Sequence, residues 1–149
     1  MWGFAMRKKK TPRQKLVADC DRLFSLLVRQ KSADENGIAS CATCGVRRVW
    51  RKLQCGHYQS RRYMSTRWVL KNAAAQCGGC NAFGSYRGQG VAGEPKAMAL
   101  YLDRSFGEGT SEMMETVAKR HPWKPTLLEL ETLRDEIKRT LELNGYVSK

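Results

Sequence analysis

Residues 41–81 read CATCGVRRVWRKLQCGHYQSRRYMSTRWVLKNAAAQCGGCN, a segment in which two Cys-x-x-Cys pairs enclose 32 residues. Two such pairs on separate turns are the usual means of presenting four thiolates tetrahedrally to Zn²⁺. Gly45 and the glycines inside the second pair let backbone amides turn toward the sulfurs. The pattern predicts one structural zinc ion that ties together the two ends of a small core. Its predicted ligands are Cys41, Cys44, Cys77 and Cys80.

The other two cysteines, Cys20 and Cys55, leave one alternative open. Cys20 falls in the apolar stripe of a predicted helix and is expected to be a small buried hydrophobe. In a second cage, Cys55 and His57 would join the first pair and leave the second pair unused.

A disulfide framework is disfavoured because an intracellular chain of this composition does not need one. A thioredoxin-like redox pair would require a βαβ context that the sequence lacks.

The charge is concentrated in the first half of the chain. Of 27 Lys+Arg and 14 Asp+Glu, 17 and 4 fall in residues 1–75, whereas residues 76–149 hold 10 of each. No carboxylate occurs between Glu35 and Glu94, so we expect the cations of this segment to lack partners and to favour a polyanion such as nucleic acid. These cations are Arg47, Arg48, Arg51, Lys52, Arg61, Arg62, Arg67, Lys71 and Arg87.

Length and composition exclude several classes of protein. The 149 residues fit one domain with helical additions, and 42% of them are hydrophobic, which is too many for a disordered tail. No apolar run approaches 18 residues, as a membrane span would require. The N-terminus is apolar first and basic second, the reverse of a signal peptide. We therefore expect a cytoplasmic protein.

Helix signals organise the remainder of the chain. We expect a basic N-terminal arm at residues 1–10 and a single domain at residues 11–149, with a helix at 11–31, a zinc-containing core at 38–90 and a helical part at 94–145. Thr11 and Thr126 each begin a capping box, and Asn144-Gly145 ends the last helix. Within the core, residues 46–59 predict a short hairpin, and Gly78-Gly79, Gly84, Gly88 and Gly90 predict turns.

His57 is the candidate catalytic group. It follows a predicted strand and lies among cations, whose charge should lower the pKa of its imidazole and keep the ring neutral near pH 7. A neutral imidazole can take a proton from a water molecule that attacks a phosphodiester. The only other histidine, His121, lies at a helix end in Arg-His-Pro-Trp and is expected to cap or pack.

The order Cys-x-x-Cys, Gly-His57-Tyr, Asn72 and Cys-x-x-Cys-Asn81 resembles that of the HNH nucleases. The resemblance implies an α+β fold, with a small zinc-stapled ββα-metal core and flanking N- and C-terminal α-helices. It implies that His57 is the general base, that Asn72 braces the loop carrying it, and that Asn81 binds a catalytic Mg²⁺ or Mn²⁺. The four paired cysteines correspond to the optional zinc site of that family.

A longer set of motifs is similar to the phage lambda NinG/Rap recombination protein family, over residues 40–140. It comprises Cys41-x-x-Cys44-Gly, Gly56-His57-Tyr58, Asn72, Gln76-Cys77-x-x-Cys80-Asn81 and Arg120-His121-x-Trp123. This resemblance implies a structure-specific endonuclease that cleaves branched recombination intermediates, such as Holliday junctions and D-loops, in a bacterial host cell alongside other recombination proteins.

The sequence departs from the HNH pattern at the metal site. The residues before His57 are Leu53-Gln54-Cys55-Gly56, without the acid that the family usually carries there. A hard cation prefers oxygen ligands and usually carboxylates. Gln54, Glu94 and Asp103 therefore remain candidates to assist Asn81.

Phosphate contacts are expected from the basic residues of the arm and the core. No recognition helix is evident, so we expect little sequence preference and selectivity through DNA shape. Paired cuts in a four-way junction need two active sites, which favours a homodimer built on the terminal helices. The predicted DNA-binding residues are Lys8, Lys9, Lys10, Arg47, Arg48, Arg51, Lys52, Arg61, Arg62, Arg67 and Lys71.

Two other functions fit the same residues. A non-catalytic, zinc-stabilised DNA-binding recombination adaptor is favoured by the missing acid. An RNA-binding protein would stack bases on aromatic side chains interleaved with the cations, namely Trp50, Tyr58, Tyr63 and Trp68. A membrane surface is disfavoured because the cations do not lie on an amphipathic helix.

Overall fold

The structure is a computed structural model that describes residues 8–83 and 92–146. Arg7 of the basic arm, Arg87 and the turns predicted at Gly84, Gly88 and Gly90 lie outside the described residues.

Six helices and two small sheets make up the described part of the chain, which is therefore α+β. The helices are α1 (Pro12–Lys31), α2 (Met64–Arg67), α3 (Gly78–Phe83), α4 (Pro95–Phe106), α5 (Thr110–Arg120) and α6 (Leu127–Leu143). The strands are β1 (Ile38–Ser40), β2 (Arg47–Val49), β3 (Gln54–His57) and β4 (Ala73–Gln76). None of the described helices combines the length and the apolar character needed to span a membrane.

Both terminal helices begin as their sequences predict. The Thr11 hydroxyl accepts a hydrogen bond from the Gln14 backbone N–H, and the Gln14 side chain accepts one from the Thr11 N–H. Thr126 and Glu129 form the same reciprocal pair at the start of α6. Each box satisfies N–H groups that the first helical turn would otherwise leave unpaired.

α1 packs along α6 to form the main hydrophobic core. The apolar stripe of α1 is buried, including Cys20, whose thiol donates to the Leu130 carbonyl at 3.5 Å. Leu130 and Leu141 of α6 are fully buried against this stripe. Truncating a core leucine of this kind to alanine typically costs about 2–5 kcal/mol. Within one chain, the last helix therefore packs on the first.

The strands pair differently from the prediction. β2 pairs antiparallel with β1, with Ser40 opposite Arg47, whereas β3 pairs antiparallel with β4, with His57 opposite Ala73. A hairpin across residues 46–59 is therefore wrong, because a 3₁₀ turn at Trp50–Lys52 carries the chain from one sheet to the other. β4 is fully buried and begins Ala-Ala-Ala, a composition that gives little strand signal.

The segment after β4 also differs from expectation. Gly78 and Gly79 begin α3, where the sequence predicted a turn. α3 thus follows directly on the β3–β4 pair. α5 packs against α2 and holds the loop that joins the two strands, since Ser65 donates to the Val117 carbonyl and Tyr58 donates to the Glu115 carboxylate at 2.5 Å.

Candidate metal centre and active site

The two Cys-x-x-Cys pairs come together at one point. The Sγ atoms of Cys41, Cys44, Cys77 and Cys80 all lie within 4.8 Å of one another. Cys44 Sγ and Cys77 Sγ are 3.8 Å apart. Zn–S bonds of about 2.3 Å place sulfurs about 3.8 Å apart in a tetrahedron. The four cysteines could therefore hold a structural metal such as zinc.

The alternative cage does not form. In residues 8–83 and 92–146, one group of cysteine, histidine or acidic side chains is close enough together to hold a metal ion, and it contains neither Cys55 nor His57. Burial raises the pKa of Cys55 to about 12 and that of Cys20 to about 11. Both side chains are thiols at neutral pH, which suits packing rather than metal binding.

The first cysteine pair is shaped to favour a thiolate. Burial raises the pKa of Cys41, but hydrogen bonds from the backbone of Cys44, Cys77 and Thr43 outweigh it and bring the value to about 7. Gly45, at φ +73°, makes the turn that closes the pair, since its N–H donates to the Cys41 carbonyl. Donors aimed at a sulfur stabilise its charged form, which is the form that binds a metal.

Gln76 links the cysteine centre to β3. The sequence showed it only as a member of the NinG/Rap-like motif and gave it no role. Its Nε2 donates to Thr43 Oγ1 at 2.7 Å and to the Gly93 carbonyl at 3.0 Å. Its side chain lies so close over Gly56 that a Cβ there would be 1.9 Å from Oε1. Gly56, immediately before His57, is therefore required for this fit.

His57 lies at the wall of a cavity of about 500 Å³. The cavity lies between α1, β3, the loop after it and α3. None of the described residues that line it is a carboxylate. They are Ser25, Arg29, Leu53, Gln54, Cys55, His57, Ser60, Arg61, Asn81, Ala92 and Gly93.

The orientation of the His57 ring is fixed by one hydrogen bond. Nε2 lies 2.9 Å from the Arg67 carbonyl oxygen. A carbonyl only accepts, so Nε2 carries the proton and Nδ1 keeps a lone pair. The Phe24 ring packs 5.9 Å from it. The pKa of His57 is lowered mainly by burial, and the charge of Arg61 adds a smaller effect, so neighbouring cations, the cause expected from the sequence, are the lesser one.

Asn72 holds the loop that follows His57. It is fully buried, and its Oδ1 accepts from the Gln59 N–H at 2.8 Å. Its Nδ2 donates to the carbonyls of Gln59 and Thr66 at 3.1 and 3.0 Å. One side chain thus fixes both ends of residues 59–66.

Asp21 of α1 corrects the expectation of unpaired cations. Its carboxylate accepts from Arg67 Nε and Nη2 at 2.9 and 2.6 Å, and from Trp68 Nε1 at 2.9 Å. Arg61 lies 3.8 Å from it, and Arg47 pairs with Asp34 at 2.8 Å. Carboxylates outside the acid-free segment thus reach into it. The side chain of Arg67 is only 18% exposed, and its guanidinium donates to Asp21 and to the Arg61 carbonyl. It therefore positions the His57 loop and is not available as the DNA contact that the sequence predicted.

Asn81 of α3 is on the same cavity as His57. Its Nδ2 donates to Gln54 Oε1 at 2.8 Å. Among the described residues nothing donates to Asn81 Oδ1, which leaves an amide oxygen for a cation. Glu94 does not line the cavity, and Asp103 accepts two hydrogen bonds from Ser111, so neither supplies the missing carboxylate.

Arg29 is the functional candidate that the sequence analysis missed. Its Nε donates to the Ser25 carbonyl at 2.9 Å, and its Nη1 donates to the Arg51 and Leu53 carbonyls at 3.0 Å. Burial lowers its pKa. The result is a guanidinium held by carbonyls at the edge of a cavity whose described lining contains no acid. Only the fold, which brings α1 beside β3, could reveal it.

The remaining predicted residues lie mostly on the surface. His121 is exposed at the end of α5. Trp68 is buried and packs edge-on against Trp123, so it belongs to the core rather than to a stacking surface. The exposed predicted DNA contacts are Lys8, Lys9, Lys10, Arg47, Arg48, Arg51, Lys52, Arg61, Arg62 and Lys71.

Comparisons of the chain with protein-family models, with curated proteins and with solved structures gave no match. The resemblances to the HNH nucleases and to the NinG/Rap family therefore stay predictions that rest on the residues themselves.

Proposed function

We propose that this protein is a metal-dependent, structure-specific DNA endonuclease of the HNH type that hydrolyses phosphodiesters in branched recombination intermediates. One observation carries the proposal. A single cavity brings together a neutral imidazole of fixed tautomer, an amide oxygen and two guanidinium groups, with no carboxylate among its described lining residues. Such a cavity attracts a phosphate and supplies a base beside it.

The order of elements supports an HNH-like core. β3, β4 and α3 occur in this order, with α2 between the two strands, His57 at the end of β3 and Asn81 on α3. Cys41 and Cys44 lie between β1 and β2, and Cys77 and Cys80 lie where β4 gives way to α3, so that one zinc ion per chain would tie this core to the strands before it. This zinc would stabilise the fold and take no part in the reaction.

In the proposed reaction, Nδ1 of His57 takes a proton from a water molecule that attacks the phosphorus, the P–O3′ bond breaks, and the leaving 3′ oxygen takes up a proton from solvent. Arg29 and Arg61 bind the phosphate oxygens and stabilise the charge that develops on them. Asn72 and Asp21, the latter through Arg67, keep the loop and the imidazole in place. These contacts leave the ring little freedom, which lowers the entropy cost of reaching the reactive geometry.

Asn81 Oδ1 would bind the catalytic Mg²⁺ or Mn²⁺, with Gln54 Oε1 beside it. Amide oxygens are acceptable ligands for a hard cation, although they bind it more weakly than carboxylates do. We therefore expect metal affinity to rise when a DNA phosphate completes the coordination. When bound, such an ion neutralises the phosphate and stabilises the leaving oxygen.

The exposed cations of the arm and the core would hold the flanking phosphates, with little sequence preference. A homodimer would place two active sites on one junction, and recombination proteins of the host or phage are the expected partners.

The absence of a carboxylate from the described cavity lining favours a second candidate, a DNA-binding adaptor without catalysis.

Incubation of a labelled four-way junction with purified protein and Mg²⁺ or Mn²⁺ tests the proposal. We expect nicks near the branch point, and little cleavage of a linear duplex of the same sequence. His57→Ala should abolish cleavage and leave junction binding intact, whereas His121→Ala, the matched control, should cleave normally. Tight binding without cleavage under every metal condition would establish the adaptor instead.

A further inference from the structure

A second cavity, of about 530 Å³, is lined by Trp50 and Arg51, both of which contact Arg29. It is formed by the end of α1, the turn at Trp50–Lys52 and the segment that follows α6. Arg29 lines the His57 cavity, and its guanidinium carbon lies 5.9 Å from the Trp50 ring centre. The walls of the two cavities are therefore in contact at Arg29 and Trp50.

Part of the wall of the second cavity consists of three planar groups, those of Trp50, Arg51 and Tyr146. The Arg51 guanidinium carbon lies 4.6 Å from the Trp50 ring centre and 5.3 Å from the Tyr146 ring centre. Arg51 is exposed, whereas Trp50 and Tyr146 are half-buried. Aromatic rings and arginine planes are the surfaces on which proteins stack unpaired bases.

The polar groups of this cavity differ from those around His57. Asp34 and Glu35 line it and balance the charges of Lys31 and Arg51, so this cavity has no excess of positive charge for a phosphate. Such a wall suits a neutral, planar group better than it suits a phosphate.

We infer that this cavity binds an unpaired DNA base from the strand whose phosphate lies in the His57 cavity. The inference rests on the proposed function for the position of that phosphate. A base leaves its stack at the lowest cost where it is already unpaired, as at a branch point or a bulge. The cavity thus selects branched DNA by accepting a base that a continuous duplex keeps stacked.

Binding measured by fluorescence anisotropy without Mg²⁺ or Mn²⁺ tests this inference. The ligands are a duplex with one unpaired base, the same duplex fully paired, and one whose unpaired nucleotide is abasic. The last keeps the kink of a bulge without its base. We expect the unpaired base to increase affinity about 5-fold or more, as base stacking does. The abasic bulge should bind like the paired duplex.

Variants of the wall separate stacking from charge. Tyr146→Phe should keep the preference for the unpaired base, and Tyr146→Ala should lose it. Arg51→Lys retains the charge but not the plane, and should also lose most of the preference. Thermal unfolding followed by circular dichroism checks that each variant folds. Equal affinity for the base-containing and abasic bulges would overturn the inference, as would an unchanged preference in folded Tyr146→Ala.

The outcome is separable from that of the nuclease assay. His57→Ala should keep the base preference, since His57 does not line this cavity. If no DNA is cleaved but the preference depends on Tyr146, the base site stands and the nuclease proposal fails. If a single-stranded RNA with the same bases competes better than the bulged DNA through Tyr146, DNA as the source of the base is wrong.

Discussion

The cysteine centre and the His57 cavity meet at α3, which carries Cys80 and Asn81, but they are assembled in different ways. The four cysteines come from one turn and from the start of α3, and backbone donors favour the thiolate of Cys41. The cavity depends on α1 as well, which supplies Arg29 and places Asp21 against Arg67. The centre can therefore form from its own segment, whereas the cavity requires the whole domain. Damage to the first should unfold the core, and damage to the second should impair a reaction in a folded protein.

The largest effect is expected at the cysteine centre. Cys77→Ser removes a ligand from a site whose metal contributes about 10–16 kcal/mol to folding in small zinc domains, as much as or more than the net stability of most domains. We expect loss of zinc and of cooperative unfolding, measured by metal analysis and calorimetry. Cys55→Ser is the matched control and should retain one zinc per chain. Zinc loss in Cys55→Ser alone would show that the ligand set is different.

An intermediate effect is expected at Asp21. Asp21→Asn weakens the paired hydrogen bonds to Arg67, a contact that is mostly shielded from water, and should cost about 1–3 kcal/mol of unfolding free energy. Because the Arg67 carbonyl orients His57, cleavage should slow as well, chiefly in kcat. Asp135→Asn breaks an exposed pair with Arg134 and should change neither quantity measurably. Equal behaviour of the two variants in urea unfolding and in cleavage would contradict the role of Asp21.

These contrasts explain what the sequence could and could not predict. Capping boxes at Thr11 and Thr126 and the spacing of the cysteine pairs are local signals, and the elements they predict are present. β4 begins with three alanines, and its strand conformation comes from burial against other elements rather than from propensity. The Asp21–Arg67 pair spans 46 residues, so no local pattern reveals it. Arg29 looks like any surface arginine of a helix until β3 is placed beside it.

The smallest effect is expected in the pH dependence of cleavage. Burial lowers the pKa of His57 below its unfolded value of about 6.5. The folded ring is therefore neutral, and able to accept a proton, even at a pH somewhat below 6.5. As pH is raised, the cleavage rate should increase at acidic pH and should already be constant by about pH 7. Below pH 6.5 the unfolded chain takes up a proton more readily than the folded one, so His57 reduces stability as pH falls. A rate that still rises above pH 7 would show that another group titrates.

The most direct test of the central claim is chemical rescue of the missing base. His57→Gly should lower the single-turnover rate of junction cleavage by about 10²–10⁴-fold, the range of general base catalysis. Added imidazole can enter the cavity beside β3, and the account predicts that it restores cleavage in proportion to its neutral form. Cleavage by His57→Gly at the parent rate, without imidazole, would contradict the claim that His57 is the base.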